Sequence, residues 1–227
     1  MELYDAIMTT RAMRRLSNDP PVTDEEIEHC LRAATQAPSG GNVQPWHFVV
    51  VTDPDQRERI AQVYQRAERR YMRAMLAMLP PFRSDAEERS FMRGVDLTHH
   101  LAEHLAEVPL VLFCLASYPY TLSDDEGPID IGTLHASVLP AVQNFMLAAR
   151  DIGLGTTLTT VFRVYQDEVK ELVGLSDRHD IVALVPIGRP VGRFGVAGRK
   201  PAEKVTSWNR YGERRPFAPP RWAPANG

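Results

Sequence analysis

The sequence predicts an α+β fold in a single domain, and three observations carry that expectation. Short apolar runs of strand composition, Val49-Val50-Val51 and Val108 to Ala116 among them, are interspersed with longer amphipathic stretches at helical spacing. A chain of 227 residues with 44% hydrophobic and 24% charged side chains has the size and balance to bury one sizeable core. No internal repeat and no linker divides it, so residues 1–227 are taken as one domain.

The elements follow in order. Residues 2–9 form a short helix, followed by an arginine-rich turn at 11–15. Thr23-Asp24-Glu25-Glu26 is a capping box, opening a helix that runs to about Ala37 with Ile27, Cys30, Leu31 and Ala34 on its apolar face. A strand at 47–52 comes next, and Asp53-Pro54 starts another helix. Residues 64–106 are mostly helical, interrupted at Pro80-Pro81, and form a candidate lid. Residues 108–117 form a strand, 118–128 a loop with three acids and two prolines, and 129–151 a long apolar helix ending at Gly153. Strand 155–161, helix 165–173 and strand 181–187 close the body, and residues 189–227 make an extended basic tail rich in Pro and Arg.

Composition excludes several functions. A net charge of −3 argues against nucleic acid as a main partner, although from Arg189 onward the chain carries +7 and the preceding residues −10. That basic tail lies across its own acidic body, lies across a second copy's, or stays solvated. No apolar run approaches the roughly 20 residues of a membrane span, and the start, Met1-Glu2-Leu3-Tyr4-Asp5, lacks the features of a secretory signal. A cytoplasmic location without a membrane partner is the resulting expectation. Cys30 and Cys114 fall in an amphipathic helix and a buried strand, as core thiols. His100 and His104 lack a partner to complete a metal site, and no metal is expected. The chain has no G-x-G-x-x-G after a strand, no Gly-Lys-Ser/Thr phosphate loop and no G-x-S-x-G elbow, which argues against a Rossmann dehydrogenase, a nucleoside-triphosphate hydrolase and a serine hydrolase.

What remains is a set of scattered segments with binding chemistry. Between Ala37 and Phe48 the chain crowds Pro38, Ser39, Gly40, Gly41, Asn42, Gln44 and Pro45 before an apolar strand. Glycines admit close backbone approach, and Ser, Asn and Gln offer donors and acceptors without charge. The segment suits a flat, polar-edged heterocycle; it also has the composition of an ordinary helix-to-strand connection. Arg11, Arg14 and Arg15 cluster in a turn suited to clamping a phosphate, and Arg199 offers a further guanidinium from the tail. Gly153-Leu154-Gly155-Thr156-Thr157-Leu158-Thr159-Thr160 gives a strand end lined with hydroxyls.

Taken jointly, these segments resemble the FMN-dependent nitroreductase family. The resemblance rests on Thr10-Arg11-Ala12-Met13-Arg14, the Pro38–Trp46 loop, Pro140-Ala141-Val142-Gln143-Asn144, Gly153–Thr160, Pro186-Ile187-Gly188-Arg189-Pro190 and Gly198-Arg199-Lys200-Pro201, whose order and spacing cover most of the chain. It implies an α-β-α sandwich around a central, mainly antiparallel sheet, and a domain-intertwined homodimer with two FMN sites at the subunit interface. It further implies a ping-pong oxidoreductase in which NADH or NADPH reduces FMN and the electrons pass to a nitroaromatic, quinone or similar small aromatic acceptor. Relatives dehalogenate iodotyrosine or process flavin itself. Carried over residue by residue, the resemblance puts Arg11 and Arg14 on the FMN phosphate, with backbone from Ala12 and Met13. Pro38, Ser39, Gly40 and Asn42 come from the other subunit, with Gln44 nearby. Thr159 and Thr160 lie against the isoalloxazine as the catalytic pair, one of them presenting N–H or hydroxyl to N5, and Arg199 returns to the phosphate. The chain departs from the family's Arg-Arg-Ser-x-Arg pattern at Thr10 and Ala12, and has Thr160-Val161 where many members place an acidic residue and Gly.

Residues 64–106 carry Tyr64, Tyr71, Met72, Met75, Met78, Phe82, Phe91 and Met92, with Arg66, Arg69, Arg70 and Arg73 on a helical face. As a lid they close over a flat acceptor; as packing they serve a dimer. Three functions fit: a nitroreductase-type oxidoreductase, a dehalogenase-like or flavin-modifying relative, and a non-catalytic flavin or ligand carrier.

Overall fold

The computed structural model describes residues 1–116, 123–125, 127–128 and 134–222. The chain falls into two compact units, Ala12–Gly192 on the one hand and Met1–Arg11 with Arg193–Gly227 on the other. The smaller unit holds helix α1 (Leu3–Thr9), against which the tail folds back: Gly195 N donates to Thr9 O at 3.4 Å and Trp222 Nε1 to Asp5 Oδ1 at 2.6 Å.

The larger unit opens with a two-residue strand, β1 (Leu16–Ser17), inside the stretch following the arginine turn. Helix α2 (Asp24–Ala34) begins at the expected capping box, Thr23 Oγ1 accepting from Glu26 N at 3.2 Å and Glu26 Oε2 from Thr23 N at 3.0 Å. It ends three residues before Ala37, because Gln36 N and Ala37 N turn back to the carbonyls of Ala33 and Ala34. Strand β2 (Trp46–Val51) precedes α3 (Pro54–Ala77), whose first turn is capped by Asp53, with Pro54 where no helical N–H is needed. Helix α4 (Asp85–His104) starts on the Ser84 hydroxyl after the expected break at Pro80-Pro81. Strand β3 (Leu110–Ala116) follows, then the paired two-residue strands β4 (Ser123–Asp124) and β5 (Gly127–Pro128). The remainder of the loop expected at 118–128, and residues 129–133 of the helix expected over 129–151, lie outside the described residues; that helix, α5, spans His135–Asp151.

The strand expected over 155–161 is shorter than its composition implies. Only β6 (Gly155–Thr156) joins the ladder; Thr159 adds an isolated bridge to Leu184, and Val161–Tyr165 wind into a 3₁₀ turn leading to α6 (Gln166–Leu172). Thr160, at φ −124° and ψ 4°, has left extended geometry and leads into that turn, although its threonine neighbours favour extension. The last strand, β7 (His179–Pro190), extends beyond the expected 181–187 at both ends.

The sheet has the order β1-β7-β3-β2, with β6 also paired to β7, and all these pairings are antiparallel. Strand β3 is buried on both faces, which explains its unbroken apolar run. Val111, Phe113 and Leu115 face a cluster shared with α2 and α5, while Leu110, Leu112 and Cys114 face one shared with α3, α4 and α6. Phe113 sits edge-on between Phe48 and Phe145, with ring centroids 5.2 and 5.4 Å away. Helices therefore cover both faces of one antiparallel sheet, the α-β-α sandwich of the sequence expectation. Among the described residues no helix is long and apolar enough to cross a membrane.

Candidate functional site

The arginine turn is held where backbones meet at close range. Met13 N donates to Thr156 O at 2.9 Å, Val191 N to Arg15 O at 2.9 Å, and Leu16 pairs with Pro190. Gly155 permits this approach: a Cβ there would stand 2.8 Å from Leu16 Cδ2 and 3.1 Å from Met13 Cβ. Gly188 is under the same constraint, its added Cβ falling 2.9 Å from Ser17 O. Met13 is thus a buried anchor, while Ala12 is exposed and Arg14 half-buried. Neither Arg14 nor Arg15 has a carboxylate in ion-pair range among the described residues.

Strand β7 links this turn to the threonines. Gly155 and Thr156 pair with Gly188 and Ile187, and Thr159 N and O each bond Leu184 at 3.0 Å. Thr159 is buried, its Oγ1 lying 2.8 Å from the Tyr64 hydroxyl of α3; Thr160 next to it is exposed. Burial pushes the Tyr64 phenol up to about 12, with Glu68 adding to the rise and the Thr159 hydrogen bond and the Arg14 charge opposing it. Glu68, one turn along α3, is 1% exposed; His99 Nδ1 of α4 stands 2.9 Å from its Oε1, an ion-pair distance without hydrogen-bond geometry.

The Pro38–Gln44 loop lies elsewhere. Its shape is its own: Ser39 Oγ accepts from Gln44 N at 2.8 Å, Asn42 Oδ1 from Gln44 Nε2 at 3.2 Å, and Asn42 N donates to Ser39 O at 3.0 Å. Gly41, Asn42 and Gln44 have φ of 57°, 54° and 51°, and a glutamine in that left-handed region is uncommon. Gly40 N reaches Ser137 Oγ of α5 at 3.4 Å, and Pro45 O accepts from Ala116 N at 2.9 Å. These contacts fix the loop beside the Trp46 end of β2, which is level with Leu115 and, through it, with Asp180 at the start of β7. The Gly155–Thr156 backbone stands toward the other end of β7, opposite Gly188 and Ile187 and roughly 25 Å along the strand at about 3.3 Å per residue, with Arg14 beyond it and Thr159 about midway, opposite Leu184. Within one copy, the sequence-assigned residues therefore form two groups: Ala12, Met13, Arg14, Thr159 and Thr160 in one, and Pro38, Ser39, Gly40, Asn42 and Gln44 in the other. Arg11 and Arg199 belong to the smaller unit, where both are exposed and Arg199 Nη1 donates to its neighbour's carbonyl, Gly198 O, at 3.0 Å.

Sequence reasoning placed Tyr64 among candidate lid residues, whereas it is fully buried; the helical i,i+4 spacing of Tyr64 and Glu68 was the available signal. A second cluster was missed. Asp180 accepts from Arg163 Nη1 at 3.0 and 3.1 Å and pairs with His135 Nε2 at 2.9 Å, tying the 3₁₀ turn and the start of α5 to β7. Although burial opposes it, the Arg163, His135 and Gln166 contacts hold the Asp180 carboxyl below the usual carboxylate range. Among the described residues no group of His, Cys, Asp and Glu is arranged to hold a metal ion.

The donor set fits one kind of ligand. Guanidiniums without carboxylate partners suit a phosphate, while backbone amides, threonines, Asn42 and Gln44 suit an uncharged heterocycle. Comparison with known proteins gives the family. The chain is 27% identical over 195 residues to an Archaeoglobus fulgidus protein with the provisional name NADH dehydrogenase/NAD(P)H nitroreductase, covering 84% of this chain and 87% of that one. It is 26% identical over 190 residues to iodotyrosine deiodinase 1 of Rattus norvegicus, covering 83% of this chain but spanning 62% of that protein's length. The solved structure of oxidized iodotyrosine deiodinase bound to FMN and 3-iodo-L-tyrosine superposes with a TM-score of 0.67 and 25% identity, over 92% of this chain and 98% of that chain. The model of the nitroreductase family matches residues 7–189, and the chain belongs to that family.

Proposed function

We propose that the protein is a cytoplasmic homodimeric flavoenzyme that binds FMN and oxidises NADH or NADPH at the expense of a nitroaromatic, quinone or similar small aromatic acceptor. The observation that carries the reading is the Met13 N to Thr156 O bond at 2.9 Å, which joins the arginine turn to the threonine segment across a gap that only Gly155 tolerates. FMN, when bound, supplies the two-electron carrier between nicotinamide and acceptor. Arg14 binds the phosphate and Met13 holds the turn in place, with Ala12 contributing backbone. Thr159 and Thr160 orient the ring system by hydrogen bonding.

The second group of residues motivates the dimer. Ser39, Asn42 and Gln44 sit beside the Trp46 end of β2, level with the start of β7, while Arg14 of their own chain lies past its end, so in this reading a second copy brings them to the ligand. Exposed Leu3, Tyr4 and Ile7 on α1, at 68%, 58% and 45%, offer apolar surface for such an association. The test is an anaerobic visible spectrum of the purified protein with its mass in solution. The expected result is a yellow dimer bleached by NADH or NADPH and recoloured by a nitroaromatic or quinone. A colourless protein that takes up no added FMN overturns the reading.

The deiodinase relatives favour a second reading, reductive dehalogenation, in which an aryl carbon–iodine bond takes two electrons and a proton to give carbon–hydrogen and iodide. Iodide release from 3-iodo-L-tyrosine under reducing conditions, set against turnover of a nitroaromatic, separates the two.

A further inference from the structure

The hydrogens of the Tyr64–Thr159 pair can be assigned by elimination. Tyr64 is 1% exposed, and among the described residues its hydroxyl has one hydrogen-bond partner, Thr159 Oγ1 at 2.8 Å. A buried O–H needs an acceptor. Were Thr159 the donor, the Tyr64 hydrogen would be stranded in the core, one helical turn from Glu68 but not bonded to it. Tyr64 therefore donates. Thr159 Oγ1 also accepts from Val161 N at 3.4 Å, and the Thr159 backbone N–H and carbonyl are both spent on Leu184. This leaves the Thr159 hydroxyl hydrogen with no acceptor among the described residues, on a residue that is 8% exposed. It is a donor left over from the protein's own hydrogen-bond network.

We infer that Tyr64 is a positioning residue that locks the Thr159 hydroxyl as an outward hydrogen-bond donor to the polar edge of the bound flavin. This rests on the FMN reading above and adds a residue two elements away to it. Burial in the hydrophobic packing of α3 keeps the Tyr64 phenol in its protonated, donating form and holds it in register. Without the Tyr64 hydroxyl, Thr159 turns its hydrogen elsewhere, and the contact is lost although Thr159 itself is intact.

The experiment compares wild type, Tyr64→Phe, Thr159→Ala, Thr159→Ser and the double variant Tyr64→Phe/Thr159→Ala, using the full chain. Dissociation constants for oxidised and for chemically reduced FMN are measured by anaerobic titration, together with thermal midpoints. Tyr64→Phe is expected to change the ratio of the two constants about three- to tenfold, the factor associated with one net hydrogen bond. Thr159→Ala should give the same change, the double variant no further change, and Thr159→Ser the wild-type ratio. A Tyr64→Phe protein with a lowered midpoint but the wild-type ratio makes Tyr64 a packing residue only and overturns the inference. So does a double variant whose effect equals the product of the two single ones. Failure of the FMN reading is distinguishable, because the wild type would then bind neither form.

Discussion

Replacing Arg189 with Ala removes four hydrogen bonds at once. Its Nη1 and Nη2 each donate to a Glu26 carboxylate oxygen at 2.8 Å, Nη2 also reaches Pro21 O at 3.0 Å, and Nε reaches Pro20 O at 3.1 Å. Glu26 is itself half of the capping box that starts α2, so the arginine pins a helix terminus to the end of β7. The two side chains are 25% and 26% exposed. Breaking a fully buried pair costs about 3–5 kcal/mol and losing an exposed one about 0–1; this bidentate pair lies between, at about 2–3 kcal/mol. In a chain of this size that lowers the thermal midpoint by roughly 5–10 °C. The pH dependence identifies the source. The Arg189 hydrogen bonds are the largest cause holding the Glu26 carboxyl below its usual range. A depressed carboxylate stabilises above its unfolded pKa of about 4.3, and that stability is lost as pH falls through the lower folded value. The gap between wild type and Arg189→Ala should be full near neutrality and narrow progressively below about pH 4. Urea denaturation followed by circular dichroism across that range measures it. A gap equal at pH 7 and pH 3 would refute the argument, because the contacts to Pro20 and Pro21, which do not titrate, would then carry the whole effect.

Other outcomes follow from the same geometry. Arg14→Ala should weaken FMN binding about ten- to 150-fold, the range for a charge-assisted contact of about 1.5–3 kcal/mol; fluorescence titration checks it, and equal retention removes Arg14 from the phosphate. Gly155→Ala sets a Cβ 3.1 Å from Met13 Cβ and 3.2 Å from Pro190 Cβ, neither of which can swing aside as Leu16 Cδ2 can, and should destabilise the fold by about 1–3 kcal/mol in urea. Phe113→Ala leaves a cavity between Phe48 and Phe145 and should cost about 3–5 kcal/mol. Burial pushes both Cys30 and Cys114 up to about 12, so at pH 8 roughly one thiol in ten thousand is thiolate. Neither should react with iodoacetamide in the folded protein, and both should react at once in denaturant.

Much of the fold was legible because its signals are local. The capping box at Thr23, the Asp53-Pro54 start and the break at Pro80-Pro81 act within one turn of chain, and each appears where the sequence placed it. The apolar run of β3 announced a strand covered on both sides. What sequence could not supply is non-local. The two residues of β1 are a strand only because Arg189 and Pro190 lie beside them, and the segment after Thr156 leaves the sheet although its threonines favour extension. The cluster of Asp180, Arg163 and His135 draws on three separate elements, and Tyr64 acquires meaning only through Thr159, 95 residues away.

Strand β7 gives the candidate site its logic. It receives Thr159 at Leu184 near its middle, then β6 at Ile187 and Gly188, and β1 at Arg189 and Pro190. Two glycines, 155 and 188, hold these backbones closer than any side chain allows, so the arginine turn is fixed in its backbone while Arg14 and Arg15 have no carboxylate partner among the described residues. A site needs both properties: a fixed frame costs no ordering on binding, and charges not committed to internal partners remain available to a ligand. The loop at the other end has the opposite economy, its Ser39, Asn42 and Gln44 groups partly bonded to one another and its backbone held at positive φ. Such strain persists where surrounding structure over-determines it. The loop is thus a surface preformed from within its own chain, which is the form that the proposed contribution to a second copy's ligand requires.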